Sequence, residues 1–132
     1  MTTDTPDRLA QGYGVAARLF GNSPVIPQFE TPGEVAEDWT QFSISTVLGE
    51  VWSRPELELP ERAAIAIAAL TALNRPAQLR AYILGALSLG VSREHICEVI
   101  FQIAVYAGFP AAIDAFSVAK AVFDEVDAAR AS

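Results

Sequence analysis

The sequence predicts an all-α protein of about six helices, forming one domain over residues 1–132. Three observations carry this. Pro6, Pro32, Pro60, Pro76 and Pro110 recur where helices would start, and proline suits a first turn because its missing N–H has no helical partner there. Gly21, Gly49, Gly90 and Gly108 fall where those helices would end. No segment alternates apolar and polar residues between hairpin turns, so no strand is predicted.

The first helix is expected over about 5–20, with Thr5 as its cap, followed by a loop from Gly21 to Glu30. The second spans about 32–49 behind Thr31, and a charged loop carrying Trp52 runs from Val51 to Leu59. The third, about 60–74, is apolar on every side between Ala63 and Leu70, which predicts a central place or a subunit contact. In the fourth, about 76–89, Leu79, Tyr82, Ile83 and Ala86 share one face by i, i+3, i+4, i+7 spacing. Tyr82 therefore points inward, and a buried phenol needs a hydrogen-bond partner. The fifth, about 92–107, opens on Ser92 as N-cap, with Glu94 in its first turn. It has one apolar face through Ile96, Val99, Ile100, Ile103 and Ala107, and a second through Cys97, Phe101 and Val105. A polar row, Glu94, Glu98, Gln102 and Tyr106, runs between them. The sixth, about 110–129, is amphipathic through Ala112, Ala115, Phe116, Ala119, Val122, Phe123 and Val126.

Composition narrows the function. Apolar residues make up 52% of the chain and mean hydropathy is +0.28. A lone domain of this size buries only about two-thirds of its unfolded surface, so part of the apolar excess is expected between subunits of a homo-oligomer. Net charge is −7, and Lys120 is the only lysine. Without a basic run, nucleic acid and anionic membrane surfaces are not expected partners. The longest apolar run, Ala63 to Leu73, is too short to span a bilayer. Met1 to Arg8 is polar and does not read as a signal peptide. The single cysteine, Cys97, has no internal disulfide partner, and it reads as a small buried hydrophobe. These features predict a cytoplasmic protein. His95, the only histidine, is expected to be exposed, and no cluster has metal-ligand spacing, so neither metal nor other cofactor is expected.

Several motifs in order resemble one family. Gly49-Glu50-Val51-Trp52-Ser53-Arg54-Pro55 with Leu57 is similar to a signature of 4-carboxymuconolactone decarboxylases, and Arg62 falls where that family opens its next helix with arginine. Gly90-Val91-Ser92-Arg93-Glu94 with Glu98-Val99, and Ala104 through Ala112 with Ala115-Phe116, resemble two further motifs. The resemblance runs from about Arg8 to Glu125. It implies an alkyl hydroperoxidase D-like helical fold, a trimer or hexamer, and a decarboxylase or related lyase. The peroxidase branch of that superfamily needs a C-x-x-C, a histidine and a glutamate; the matching positions here are Arg75, Gln78, Tyr82 and Ala63. A dithiol cycle needs two neighbouring thiols, so peroxidase chemistry is excluded. The decarboxylase branch usually carries histidine at Tyr82 and commonly asparagine at Ile113, and this chain departs from both.

The resemblance makes Tyr82, Arg62 and Glu50 the candidate catalytic residues, with Trp52, Arg54, Phe101, Gln102 and Tyr106 as candidate substrate-binding residues. Each has a plainer reading. Tyr82 either donates a hydrogen bond or proton to an enolate, or is a core phenol bonded to a backbone carbonyl. Its ordinary pKa of about 10 makes it a poor base. Arg54 either grips a carboxylate beside a Trp52 wall, or joins Glu50 in tying the loop to a neighbouring subunit. Arg62 either binds an anion or belongs to a buried ion pair, with Glu50 or Glu98 as the expected partner. Gln102 and Tyr106 line a pocket or form a solvated face. The expected function is a cofactor-free lyase or isomerase acting on a small lactone or enol-forming unsaturated compound. The alternative is a non-catalytic homo-oligomer that binds a small ligand or supports a partner protein.

Overall fold

Among the described residues six α-helices follow one another: α1 (Arg8–Phe20), α2 (Ala36–Ser43), α3 (Leu59–Leu73), α4 (Pro76–Ser88), α5 (Arg93–Ala107) and α6 (Phe109–Ala131). The structure is a computed structural model and describes residues 7–27 and 29–132, among which no strand occurs. Pro60, Pro76 and Pro110 sit in the first turns of α3, α4 and α6. Ser92 Oγ accepts from the His95 N–H at 3.0 Å, as predicted. Gly90 and Gly108 end α4 and α5 with φ of 89° and 100°, where a side chain would be strained. Asp7 caps α1, accepting from the Ala10 N–H at 3.0 Å; Thr5 and Pro6 lie outside the described residues.

The helix predicted over 32–49 differs most. Pro32 sits in a turn, its carbonyl accepting from the Val35 N–H at 3.1 Å, and Thr31 caps nothing. The helix starts at Ala36, and from Ile44 to Val51 it widens into a π-helix. Gly49 does not end a helix; it is buried within the π-helix. The reason is a backbone crossing. A Cβ on Gly49 would stand 2.0 Å from the Arg8 carbonyl oxygen, and one on Gly12 would stand 2.3 Å from that of Ile44. α1 and the π-helix thus touch main chain to main chain, which only glycine permits.

α3 packs against α4, α5 and α6, the central position its apolar sequence predicts, and α1 lies on α4. Leu19, Ile67, Leu79, Ile83, Ile96, Ile100, Val122 and Val126 are fully buried. The predicted inner face of α6 is buried or half-buried throughout. α5 is covered on one side only. Phe101 is 66% exposed and Val105 74%, and Cys97 is half-buried rather than buried. Leu73 of α3 and Phe109 and Ile113 of α6 are exposed as well. No described helix is long and apolar enough to cross a membrane.

Candidate active site

Trp52 is the centre of the candidate site, and the π-helix puts it there. Wider winding aligns residues five apart: the Trp52 N–H donates to the Val47 carbonyl at 3.0 Å, and Ser53 Oγ donates to that of Leu48 at 2.8 Å. This turn brings the indole inside, leaving it 8% exposed. π-helical turns often occur at functional sites. Tyr82 of α4 stacks on the indole, with ring centroids 5.5 Å apart and planes 29° apart.

Arg62, one turn into α3, approaches the same indole. Its Nη2 donates to the Arg54 carbonyl at 2.9 Å, tying the loop to the helix. Its Nε is buried and has no hydrogen-bond partner. The expected ion pair is not formed: among the described residues no acid lies within salt-bridge distance of Arg62. Glu50 projects from the outer side of the π-helix and is exposed, and Glu98 is exposed on α5. A cavity of about 200 Å³ opens beside Arg62, lined by Val51, Trp52, Arg62, Ile65, Ala66 and Ala69. Typical ligand pockets hold about 300–1,000 Å³, so this one suits a small acid or one end of a larger one. Its rim residues Val51, Ile65 and Ala69 are exposed, so the single chain leaves it open.

Tyr82 does not line this cavity; it meets the wall through Trp52. It is half-buried, and among the described residues its hydroxyl makes no hydrogen bond, so the partner expected for an inward phenol is missing. Burial pushes its pKa above the ordinary value of 10.0.

The other candidates lie elsewhere. Arg54 is exposed, 3.7 Å from Glu56 Oε1, and lines a second cleft of about 620 Å³ that also has Trp52 in its wall. Gln102 lines a separate groove of about 500 Å³ between α3 and α5. Phe101 meets Phe116 edge-on at 6.0 Å, and Tyr106 is 78% exposed. Neither closes a chamber around Trp52 in this chain, because the face of α5 that carries them is uncovered. The structure therefore brings together Trp52, Tyr82 and Arg62, with Arg54 joined through its backbone. The apolar lining was readable from spacing, since 62, 65, 66 and 69 share one helix face. Arg18 of α1, which lines the second cleft, carries no local signal.

Comparison with known proteins identifies a family. The profile of the Carboxymuconolactone decarboxylase family matches residues 37–121, which include Trp52, Arg62 and Tyr82 but not α1. A 4-carboxymuconolactone decarboxylase of Acinetobacter baylyi is 33% identical over 119 residues, covering 90% of this chain and 89% of that protein. An uncharacterized 15.0 kDa protein of Paracoccus denitrificans is 32% identical over 73% of this chain and 67% of its own. A nitrosuccinic acid decarboxylase of Metarhizium robertsii is 31% identical over 75% of this chain and 66% of its own.

Proposed function

Because this chain belongs to the carboxymuconolactone decarboxylase family, we propose that it is a lyase that removes carbon dioxide from a small carboxylic acid through an enolate-like intermediate. The observation that carries this reading is Arg62: it lines an otherwise apolar cavity with Trp52, and its buried Nε has no hydrogen-bond partner. A non-catalytic binder of apolar ligands gains nothing from such a group, which costs free energy until an anion meets it.

The placement of charge decides the role of Arg62. Decarboxylation sends the electrons of the breaking C–C bond into a conjugated carbonyl, so negative charge leaves the carboxylate and gathers on the carbonyl oxygen. A guanidinium held on the leaving carboxylate would stabilise the ground state more than the transition state. Arg62 serves the reaction by facing the oxygen that gains charge. The leaving carboxylate then lies against Ile65, Ala66 and Ala69, where neutral carbon dioxide is favoured over the anion. The resulting carbanion must take up a proton; Tyr82, its pKa raised by burial, stands behind Trp52 and outside the cavity, so it is the candidate donor only by relay through water.

The direct test is carbon dioxide release by the purified protein, starting with 4-carboxymuconolactone and nitrosuccinate, the compounds named for its relatives. Turnover of one of these or of a related small acid is expected, and silence across such a panel would sink the reading. Tyr82→Phe keeps the ring on Trp52 and is expected to lower kcat about 10²–10⁴-fold, the range for losing a general acid, with Tm unchanged. Normal turnover in this variant would leave Tyr82 as a support for Trp52. A raised pKa keeps the phenol protonated through neutral pH, so the step that uses it should stay flat and weaken only above pH 10. A rate that climbs with pH would mean that Tyr82 acts as a base instead.

Self-association belongs to the same reading. A second copy covering Phe101 and Val105 of α5 would bury the bare apolar face; exposed apolar patches of such size mark interaction sites. In sedimentation velocity the protein is expected as an oligomer, and Val105→Asp, at a site already exposed in the single chain, as a folded monomer. A monomeric parent protein would overturn this part.

A further inference from the structure

We infer that the Arg62 cavity is completed by a second copy of the chain, which lays Phe101 and Val105 of its α5 over the rim formed by Val51, Ile65 and Ala69. The contact is reciprocal about a two-fold axis near Ile65, so two sites close together. The inference rests on the Arg62 cavity and the self-association read above, and adds what the bare face of α5 covers.

Ile65 fixes the layout. It lines the Arg62 cavity with Val51 and Trp52, and it also lines the groove between α3 and α5 that reaches Gln102. The cavity, the groove and α5 are therefore neighbours on one surface. On the far side of the groove α5 exposes Phe101, Val105 and Tyr106. On the far side of the cavity an exposed apolar row runs back from Val51 through Val47 to Phe42 and Trp39 of α2. In the hollow of about 500 Å³ between α3 and α5, the side chains from α3 include the small Ala64 and Ala68.

Both rows lack cover in the single chain. α2 has eight residues, buries none of them and has no side-chain N-cap. So short a helix is not held in water by its own hydrogen bonds. The two rows with Ile65 expose on the order of 800 Å² of apolar surface, about what each partner of a stable complex buries and above the roughly 300–600 Å² patch of a typical monomer.

The shape of this surface selects a second copy as its occupant. It carries a ridge of bulky side chains on α5 and, beside it, a hollow lined by alanines. A two-fold axis between them sets the ridge of each copy into the hollow of the other, as ridges pack into grooves. Such a contact is self-complementary: where one residue meets another, the second meets the first. Ile65 lies between the two features, and each α5 then reaches the other copy's Val51. Closure also serves the cavity. Water leaves, and the charge of Arg62 acts through a medium of lower dielectric constant.

Cross-linking tests the arrangement without any substrate. In a Cys97→Ala background, a Val51→Cys chain and a Val105→Cys chain are co-expressed and treated with a short bismaleimide. All three replaced residues are at least partly exposed, so the core is untouched. A product of doubled mass is expected, with a bridged peptide joining positions 51 and 105. Ile65→Cys alone should link copy to copy, and adding Phe101→Asp should abolish that product. Asp124→Cys is the control, because Asp124 of α6 is exposed and lines neither the cavity nor the groove; with Val51→Cys it should give no bridge. An oligomer in which positions 51 and 105 are not bridged, or in which position 124 is bridged as readily, overturns the inference and leaves self-association standing. Failure of Ile65→Cys to link overturns it as well, and a monomeric parent overturns both. Carbon dioxide release plays no part in these outcomes, so a linked but inactive protein would sink the decarboxylase reading alone.

Discussion

Replacing Arg62 with glutamine is expected to lower kcat/KM about 10²–10³-fold, mostly through kcat, while Tm holds or rises. The two halves of this result have one cause. A donor aimed at a developing oxyanion contributes about 3–4 kcal/mol to the transition state, and glutamine keeps a polar side chain but loses the charge. Interactions made mainly in the transition state appear in kcat rather than in KM. The guanidinium nitrogen Nε is meanwhile buried without a partner, a cost in the folded protein that glutamine relieves in part. Loss of the Nη2 bond to the Arg54 carbonyl works in the other direction, but one hydrogen bond contributes only about 1 kcal/mol net. Steady-state kinetics and thermal denaturation of the same samples check both halves. A structural arginine would show the reverse pattern, with activity intact and Tm reduced, and that result would remove Arg62 from the chemistry.

Gly49→Ala is expected to cost about 3 kcal/mol or more of stability, lowering Tm by roughly 10 °C. The added methyl would stand 2.0 Å from the Arg8 carbonyl oxygen. That atom is backbone and cannot rotate away, so α1 and the π-helix must separate. Gly12→Ala, at 2.3 Å from the Ile44 carbonyl oxygen, should behave alike. Gly14→Ala is the control: nothing lies within 4 Å of its Cβ position, and alanine in an exposed helix interior should add up to about 1 kcal/mol. Because the π-helix carries Trp52, the two damaging variants should also shift indole emission, whereas Gly14→Ala should not. Equal stability in all three would mean that the crossing yields more easily than its contacts imply.

The helices were legible because their boundaries are written locally. Pro60, Pro76 and Pro110 mark starts, Ser92 supplies its own cap, and Gly90 and Gly108 mark stops. The repeat of apolar positions in α6 names its buried face without reference to any neighbour. Gly49 shows where such reading fails. Glycine at a helix end and glycine at a backbone crossing look the same in one dimension, and only the position of Arg8 tells them apart.

The candidate site divides in the same way. Motif order pointed to Trp52, Arg62 and Tyr82, which come from three separate elements and meet around one indole. It also pointed to Phe101, Gln102 and Tyr106, whose helix turns that face outward in the single chain. Glu50 seemed a natural partner for Arg62 by charge, yet the π-helix carries it to the outside and a backbone carbonyl takes its place. Capping, turn chemistry and amphipathic period act over one or two helical turns, so residue order alone settles the all-helical class and the faces that seek cover. Which arginine is left without an acid, and which rings enclose a cavity, depends on contacts between elements far apart in the chain. Those are decided only when α1, the π-helix, α3 and α4 pack together.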